Sequence, residues 1–292
     1  MACPCELRLG GSERKAVDRV AKKCISEAQR FEQKYSRYVE DSITTQINSA
    51  AGVKSVHVDN ETIAILRYAG VCFAQSNGMF DITSGILRRI WNSGRTVLPA
   101  ESELGVCIEL IGWTKVEMSE NTVFLPQKGM ELDFGGVVKE YAVDALTLMA
   151  QSRGVSHGLV NLGGDIGVIG PDIDGQPWSV GVVNPEKRDT AIASIQLLKG
   201  AIATSGAYER YFEIEGKKYS HLINPKTGWP VDALQSVTVA AEKAIVAGSI
   251  SSIALLKGVP DSLRWLENSE AAYLAIDDEL RCYGHLAQNS TG

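Results

Sequence analysis

The chain has 292 residues, of which 45% are hydrophobic and 22% charged, values typical of a folded globular protein. This length favours one domain over residues 1–292, either as a single unit or as two closely packed lobes. The formal net charge of -6 argues against a nucleic-acid-binding protein, which would present a basic face.

The N-terminal stretch MACPCELRLGG lacks the apolar core of a signal peptide, and no apolar run reaches the length of a membrane span. We therefore expect a cytoplasmic protein without a membrane span, or a periplasmic one if a leader has been removed. Six scattered cysteines indicate neither a zinc site nor a disulfide framework.

The predicted elements begin with a strand at 4–9 and an amphipathic helix at 13–35. In that helix Val17, Val20, Cys24 and Phe31 recur three or four residues apart. A second helix is predicted at 60–76 and a short one at 86–92. A turn-rich stretch follows at 93–103.

From residue 105 the pattern predicts short strands in VEM, NTVFL and ELDFGG, followed by a helix at 137–152. More strands continue through the hairpin RYFEIEGKKYSHLI, which turns at Glu215-Gly216-Lys217. Helices at 244–256 and 260–268 and a last hairpin complete the chain. Because strands and helices do not alternate strictly, the order predicts an α+β fold with mixed sheets flanked by helices.

Polar and glycine-rich segments interrupt this apolar pattern, and the first of them is FDITSG before the helix at 86–92. One interpretation is an N-cap, in which Thr83 or Ser84 accepts hydrogen bonds from the first-turn amides. The other is a ligand-binding loop.

The second segment, LDFGGVVKEYAVD, is predicted to run from a strand through Gly135-Gly136 into a helix. Glycines allow a ligand to approach the backbone, and a helix N-terminus offers free amides to an anion. Lys139 is unfavourable for the helix dipole there, which indicates a phosphate partner. A tight turn with a solvated lysine is the alternative.

Two further segments are candidates for the same site. VNLGGD is a second Gly-Gly turn, which an ordinary hairpin would also explain. ATSGAYERYF leads into YSHLINPKTGWPV, where His221 is either structural or a proton-transferring group, since histidine titrates near neutrality.

The succession FDITSG, LDFGGVVKEYAVD, VNLGGD, ATSGAYERYF and YSHLINPKTGWPV resembles the ApbE family of FAD:protein FMN transferases. The opening MACPCELRL and the segment YSRYVEDSITTQIN are similar to further landmarks of that family. The resemblance covers residues 1–260. It implies an ApbE-like, T-fold-related arrangement that binds FAD in a cleft.

The resemblance also implies the activity. Such proteins move FMN from FAD onto a Thr hydroxyl in a motif of an acceptor flavoprotein and release AMP, usually with Mg²⁺. Two alternatives of the same fold are an FAD-binding protein that does not transfer and an FAD pyrophosphatase.

Site residues follow from the resemblance by matching position. The residues that would hold FAD are Met1, Tyr38, Met79, Phe80, Asp81, Asp133 and Lys139. Gly136 would present a backbone oxygen to the metal, with hydroxyls from Ser251 and Ser252. His221 would be the base that activates the acceptor Thr.

Two positions depart from the family's pattern. Gly248 stands where the family has a metal-binding Asp, and Ala207 stands where it commonly has Asp after Thr-Ser-Gly. Because Mg²⁺ prefers carboxylate oxygens, the sequence predicts a weakened metal site. It also predicts that Gly248→Asp raises the affinity for Mg²⁺.

Overall fold

The computed structural model describes residues 3–11, 13–208, 211–231 and 234–286. In these ranges the helices are α1 Arg14–Tyr35, α2 Ile43–Ser49, α3 Asn60–Gln75, α4 Glu101–Glu109, α5 Val138–Gln151, α6 Ala244–Lys257 and α7 Asp261–Asn268. Three 3-10 helices span Ile82–Arg89, Trp113–Lys115 and Phe134–Gly136. The strands are β1 Cys5–Gly10, β2 Val56–His57, β3 Glu117–Met118, β4 Thr122–Phe124, β5 His157–Leu162, β6 Asp165–Gly170, β7 Trp178–Val183, β8 Ala191–Leu197, β9 Ala201–Gly206, β10 Tyr211–Ile214, β11 Lys217–Ser220, β12 Ser236–Ala241, β13 Ala272–Ile276 and β14 Cys282–Tyr283.

A seven-stranded sheet in the order β1-β5-β6-β9-β12-β13-β14 forms the centre of the fold. Every neighbouring pair in it is antiparallel. Smaller sheets are formed by β2-β4-β3, by β7-β8 and by β10-β11. An antiparallel central sheet flanked by helices confirms the predicted α+β class.

The central sheet is covered on both faces, and β5 shows how. Val160 packs in the same apolar cluster as Phe31 of α1 and Leu146 of α5. Its neighbour Leu159 points to the opposite face and packs with Ile195 of the β7-β8 ribbon. Because successive strand residues face opposite sides, a doubly covered strand requires apolar residues at both.

Several elements differ from the sequence prediction. The stretch 131–133, predicted as a strand, is a loop that leads into the 3-10 helix Phe134–Gly136. The helix predicted at 86–92 is the 3-10 helix Ile82–Arg89. The stretch predicted as turns and short strands contains α4, whose start is fixed by Glu103 accepting the Ala100 amide at 2.8 Å. Helix α2 and strand β12 are further elements that the sequence did not predict.

Candidate active site

The turn between β5 and β6 is a tight hairpin built on two glycines. Gly163 and Gly164 have φ values of 63° and 96°, a conformation that favours glycine. The Asn161 side chain accepts a hydrogen bond from the Gly164 amide at 2.9 Å, and Pro4 accepts one from the Gly163 amide at 2.9 Å. The turn therefore places the N-terminal segment beside the start of β6, where Asp165 is buried.

Lys139 lies in the first turn of α5, as predicted, and its charge has a partner within the protein. Its Nζ atom lies 2.8 Å from Oδ2 of Asp165, whose side chain is only 1% exposed. Burial lowers the pKa of Lys139, but the negative charge of Asp165 outweighs burial and raises it. The lysine is therefore an ammonium that needs no phosphate to balance it, although its side chain is 29% exposed and accessible to an anion.

Glu140, which sequence reasoning missed, follows Lys139 and is buried. Burial, and next the nearby charge of Asp165, raise the pKa of Glu140 to about 8. Its Oε2 atom is buried and receives no hydrogen bond from the described residues. Two carboxylates in a dry site cannot both be ionised without a positive charge between or beside them.

Gly248 of α6 faces Glu140 directly. A Cβ atom added at Gly248 would lie 2.5 Å from Cγ of Glu140. The glutamate therefore occupies the volume in which the side chain of any residue at 248 would begin. From the sequence, Gly248→Asp is expected to raise the affinity for Mg²⁺. The packing reverses the expected direction, because the new side chain has to displace Glu140.

The two serines predicted to bind the metal lie on the same stretch of α6. Ser251 and Ser252 contact the hydroxyl of Ser205 on β9 at 2.9 and 3.0 Å. Ser251 also donates to the carbonyl of Gly248 at 3.0 Å. The Thr-Ser-Gly segment thus meets α6 through three hydroxyl groups.

The turn before the first polar segment lies against the second one. Gly78 has φ 79°, Met79 is half-buried, and Phe80 is buried. A Cβ atom added at Gly136 would lie 3.3 Å from the Phe80 ring, so Phe80 packs on the glycine turn. The 3-10 helix that contains Gly136 also contacts α6.

Asp81 is the N-cap of the 3-10 helix Ile82–Arg89, so the predicted cap at Thr83 or Ser84 is wrong. Its Oδ1 atom accepts from the amide of Thr83 at 2.8 Å and from the Thr83 hydroxyl at 2.6 Å. Its Oδ2 atom accepts from the amide of Trp113 at 3.0 Å. Asp81 is the residue immediately before the 3-10 helix, whereas Thr83 and Ser84 lie within it, so the cap is the Asp81 carboxylate.

Asp133 belongs to a network of two carboxylates and three arginines. Its Oδ2 atom lies 3.2 Å from Arg37 and 2.9 Å from Arg88. Arg37 also pairs with Glu131 at 2.7 Å, and Glu131 pairs with Arg89. Three cations against two anions leave one positive charge in excess at this cluster.

Tyr38 and Met1 are the remaining residues predicted to hold FAD. Tyr38 is 83% exposed in the loop after α1, which leaves its ring accessible for stacking. Met1 lies outside the described residues.

His221 follows β11 directly and is half-buried. The next residue, Leu222, packs against the apolar cluster that contains Ala203 of β9 and Ala247 of α6. An open cleft of about 590 Å³ reaches Ser220 and Ala207, immediately next to His221 and to the Thr-Ser-Gly segment.

The first and second polar segments, which carry most of the residues predicted to hold FAD, lie next to each other. The amide of Asp133 donates to the carbonyl of Ile82 at 2.8 Å, joining the first and second polar segments. Sequence reasoning missed Glu140, Asp165 and Arg37. Each of the three adjoins a predicted residue or glycine turn, so the neighbours of the polar segments carried the missing signal.

In the described ranges, no group of three or more His, Cys, Asp or Glu side chains is placed to hold a metal ion. None of the helices in this part of the chain has the length and apolarity needed to cross a bilayer.

Comparison with known proteins defines first a fold and then a family. The solved ApbE protein of Thermotoga maritima matches with a TM-score of 0.88 and 27% identity, over 99% of this chain and 100% of that one. A Vibrio cholerae protein named FAD:protein FMN transferase is 28% identical over 85% of this chain and 77% of its own length. A Klebsiella pneumoniae protein of the same name is 32% identical over 68% of this chain and 63% of its own length.

The sequence model of the ApbE family matches residues 1–275. The chain therefore belongs to the ApbE family.

Proposed function

We propose that this chain is an FAD:protein FMN transferase that moves FMN from FAD to a Thr hydroxyl of a target flavoprotein and releases AMP. The observation that carries the proposal is the family match over residues 1–275, together with relatives named for this reaction. The site supports it, because glycine turns, an ammonium group and an arginine-rich cluster lie on adjoining segments.

The reaction requires a phosphoryl centre to be held and a hydroxyl to be activated. The acceptor oxygen attacks the phosphorus of the FMN half, the bond from that phosphorus to the bridging oxygen breaks, and AMP leaves with that oxygen. The accessible part of the Lys139 ammonium group binds the diphosphate, and His221 takes the proton of the attacking hydroxyl. The exposed ring of Tyr38 stacks on the flavin.

A divalent cation fits the oxygen atoms present. The Glu140 Oε2 atom is buried and receives no hydrogen bond from the described part of the chain. The Ser251 and Ser252 hydroxyls lie on α6, and the Gly136 carbonyl belongs to the 3-10 helix that contacts α6. Hard cations such as Mg²⁺ prefer oxygen ligands. When bound, Mg²⁺ supplies positive charge that stabilises the diphosphate and the leaving AMP.

The test mixes the protein with FAD, Mg²⁺ and a flavoprotein domain that contains an acceptor Thr. In-gel flavin fluorescence detects transfer, and chromatography detects AMP and free FMN. Labelling with one AMP per bound flavin is expected. FAD binding without labelling would instead identify a non-transferring FAD-binding protein, and AMP with free FMN would identify a pyrophosphatase.

His221→Ala tests the assigned base. We expect this variant to bind FAD with unchanged affinity and to lose labelling. The matched control is His57→Ala, because His57 is an exposed histidine on β2 that contacts the Asn121 carbonyl. Normal labelling by His221→Ala would refute its role as the base.

A further inference from the structure

The contact between Glu140 and Gly248 places one carboxylate where α5 and α6 meet. Glu140 Cγ, Cδ and Oε1 all lie within 3.0 Å of the Cβ position of residue 248. A carboxylate on α6 at that residue and the carboxylate of Glu140 would therefore compete for one volume. The chain has only the Glu140 carboxylate, because residue 248 is a glycine.

The surroundings of Glu140 are short of positive charge. Lys139 pairs with Asp165, and the negative charge of Asp165 also acts on Glu140, so two carboxylates share one ammonium group. Oε2 of Glu140 is buried and receives no hydrogen bond from the described residues. Burying an anionic oxygen without a partner is strongly unfavourable unless a proton or a cation neutralises it.

Neutral oxygen ligands lie on the adjoining elements. Ser251 and Ser252 follow Gly248 on α6 by less than two helical turns, and both contact Ser205. Carboxylate plus hydroxyl and carbonyl oxygens is a ligand set suited to Mg²⁺ or Mn²⁺ and unsuited to softer metals.

We propose that Glu140 is the anionic ligand of a divalent cation in this protein, with Ser252 as a neutral ligand and Gly248 as the residue that makes room for it. This assignment rests on the proposed function for the cation's role at the diphosphate. The binding itself is measurable without any transfer reaction. The Glu140 side chain extends from α5 into the volume that a carboxylate on α6 would otherwise fill.

The experiment titrates the full chain, stripped of metal, with Mn²⁺ and measures free Mn²⁺ by electron paramagnetic resonance, with and without FAD. Glu140→Gln keeps the shape and removes the charge. We expect its dissociation constant for Mn²⁺ to rise at least tenfold, on the scale of roughly 10–100-fold for substitutions around metal ligands. Glu61→Gln is the control, because Glu61 is a partly buried carboxylate paired with Arg30 and Lys34 elsewhere in the fold.

A carboxylate exchange provides the second arm. Glu140→Ala and Gly248→Asp are each expected to bind Mn²⁺ at least tenfold more weakly than the wild type, the first by loss of the ligand and the second by collision with Glu140. The double variant Glu140→Ala/Gly248→Asp returns a carboxylate to the vacated volume, so its affinity should recover. This arm decides the matter if Glu140→Gln does not fold.

The outcomes separate this inference from the proposed function. Equal Mn²⁺ affinity in the wild type and Glu140→Gln, or no Mn²⁺ binding by the wild type, overturns the assignment of Glu140. In the second arm, a double variant that binds no better than Glu140→Ala does the same. Mn²⁺ binding that depends on Glu140, combined with no flavin labelling, leaves the ligand assignment standing and rejects the transferase.

Discussion

A methyl group added at Gly248 tests the packing of α5 against α6 without any ligand. Gly248 lies in the interior of α6 and is buried against Glu140. In an open helix position, replacing glycine with alanine stabilises a protein by about 1 kcal/mol, because the unfolded chain loses conformational freedom. At Gly248 the new Cβ atom would meet Glu140 Cγ at 2.5 Å, which forces one of them to move.

The two effects oppose each other, and their sizes set the expected sign. Overpacking a well-packed core costs about 1–3 kcal/mol. Gly248→Ala should therefore change the free energy of unfolding by about 0–2 kcal/mol in the destabilising direction. In a Glu140→Ala background the collision is absent, and the same substitution should stabilise by about 1 kcal/mol. The interaction energy between the two sites is then about 1–3 kcal/mol.

Urea unfolding of the metal-free protein in a chelating buffer measures all four members of this cycle. Gly105→Ala is the matched control, since Gly105 lies in α4 with open space around its Cβ position. It should stabilise the protein by about 1 kcal/mol in both backgrounds. If Gly248→Ala also stabilises both backgrounds by the same amount, the close contact between Glu140 and Gly248 does not exist.

Two further predictions concern other parts of the fold. Burial opposes ionisation of Asp59, but hydrogen bonds from Lys34 and from the α3 N-terminus outweigh burial and lower the pKa of Asp59 to about 2. Ionised Asp59 therefore stabilises the fold above its ordinary pKa of 3.8, and this stabilisation is lost as the pH falls through 2. Since its side chain is 58% exposed, Asp59→Asn should cost about 1 kcal/mol at pH 6 and only a small part of that near pH 2 in urea titrations. A difference that grows on acidification would contradict the sign. Gly158→Ala should destabilise by about 2–4 kcal/mol, because φ is 142° and the new Cβ atom would lie against the Arg8 carbonyl of β1. Gly154→Ala, with φ 82° and open space, should cost only about 1–2 kcal/mol. Thermal melts compare the two variants, and equal losses would refute the steric argument.

The helices show how far local pattern reaches in this chain. The bounds of α1, α3, α5 and α6 agree with the sequence prediction to within one residue at each end. Their apolar residues recur at helical spacing, and this signal is contained within the helix itself. Strand β12 was missed, although it lies between β9 and β13 at the centre of the sheet, because its place is defined only by those distant partners. The prediction of a single domain stays a prediction.

The candidate site divides in the same way. Sequence motifs alone selected the polar segments, the glycine turns, Lys139 and the family, because these are ordered features of one chain. The partners of those residues come from other elements: Asp165 from β6 for Lys139, and Arg37 from the end of α1 for Asp133.

By itself the sequence determined that Gly248 lacks the carboxylate its family leads one to expect. Only the tertiary structure decided that Glu140 of α5 occupies the same volume, since burial and contact between two helices depend on how they pack. Residue order encodes which groups are present, whereas the charge and the room around a buried group are set by neighbours that the chain brings together only on folding.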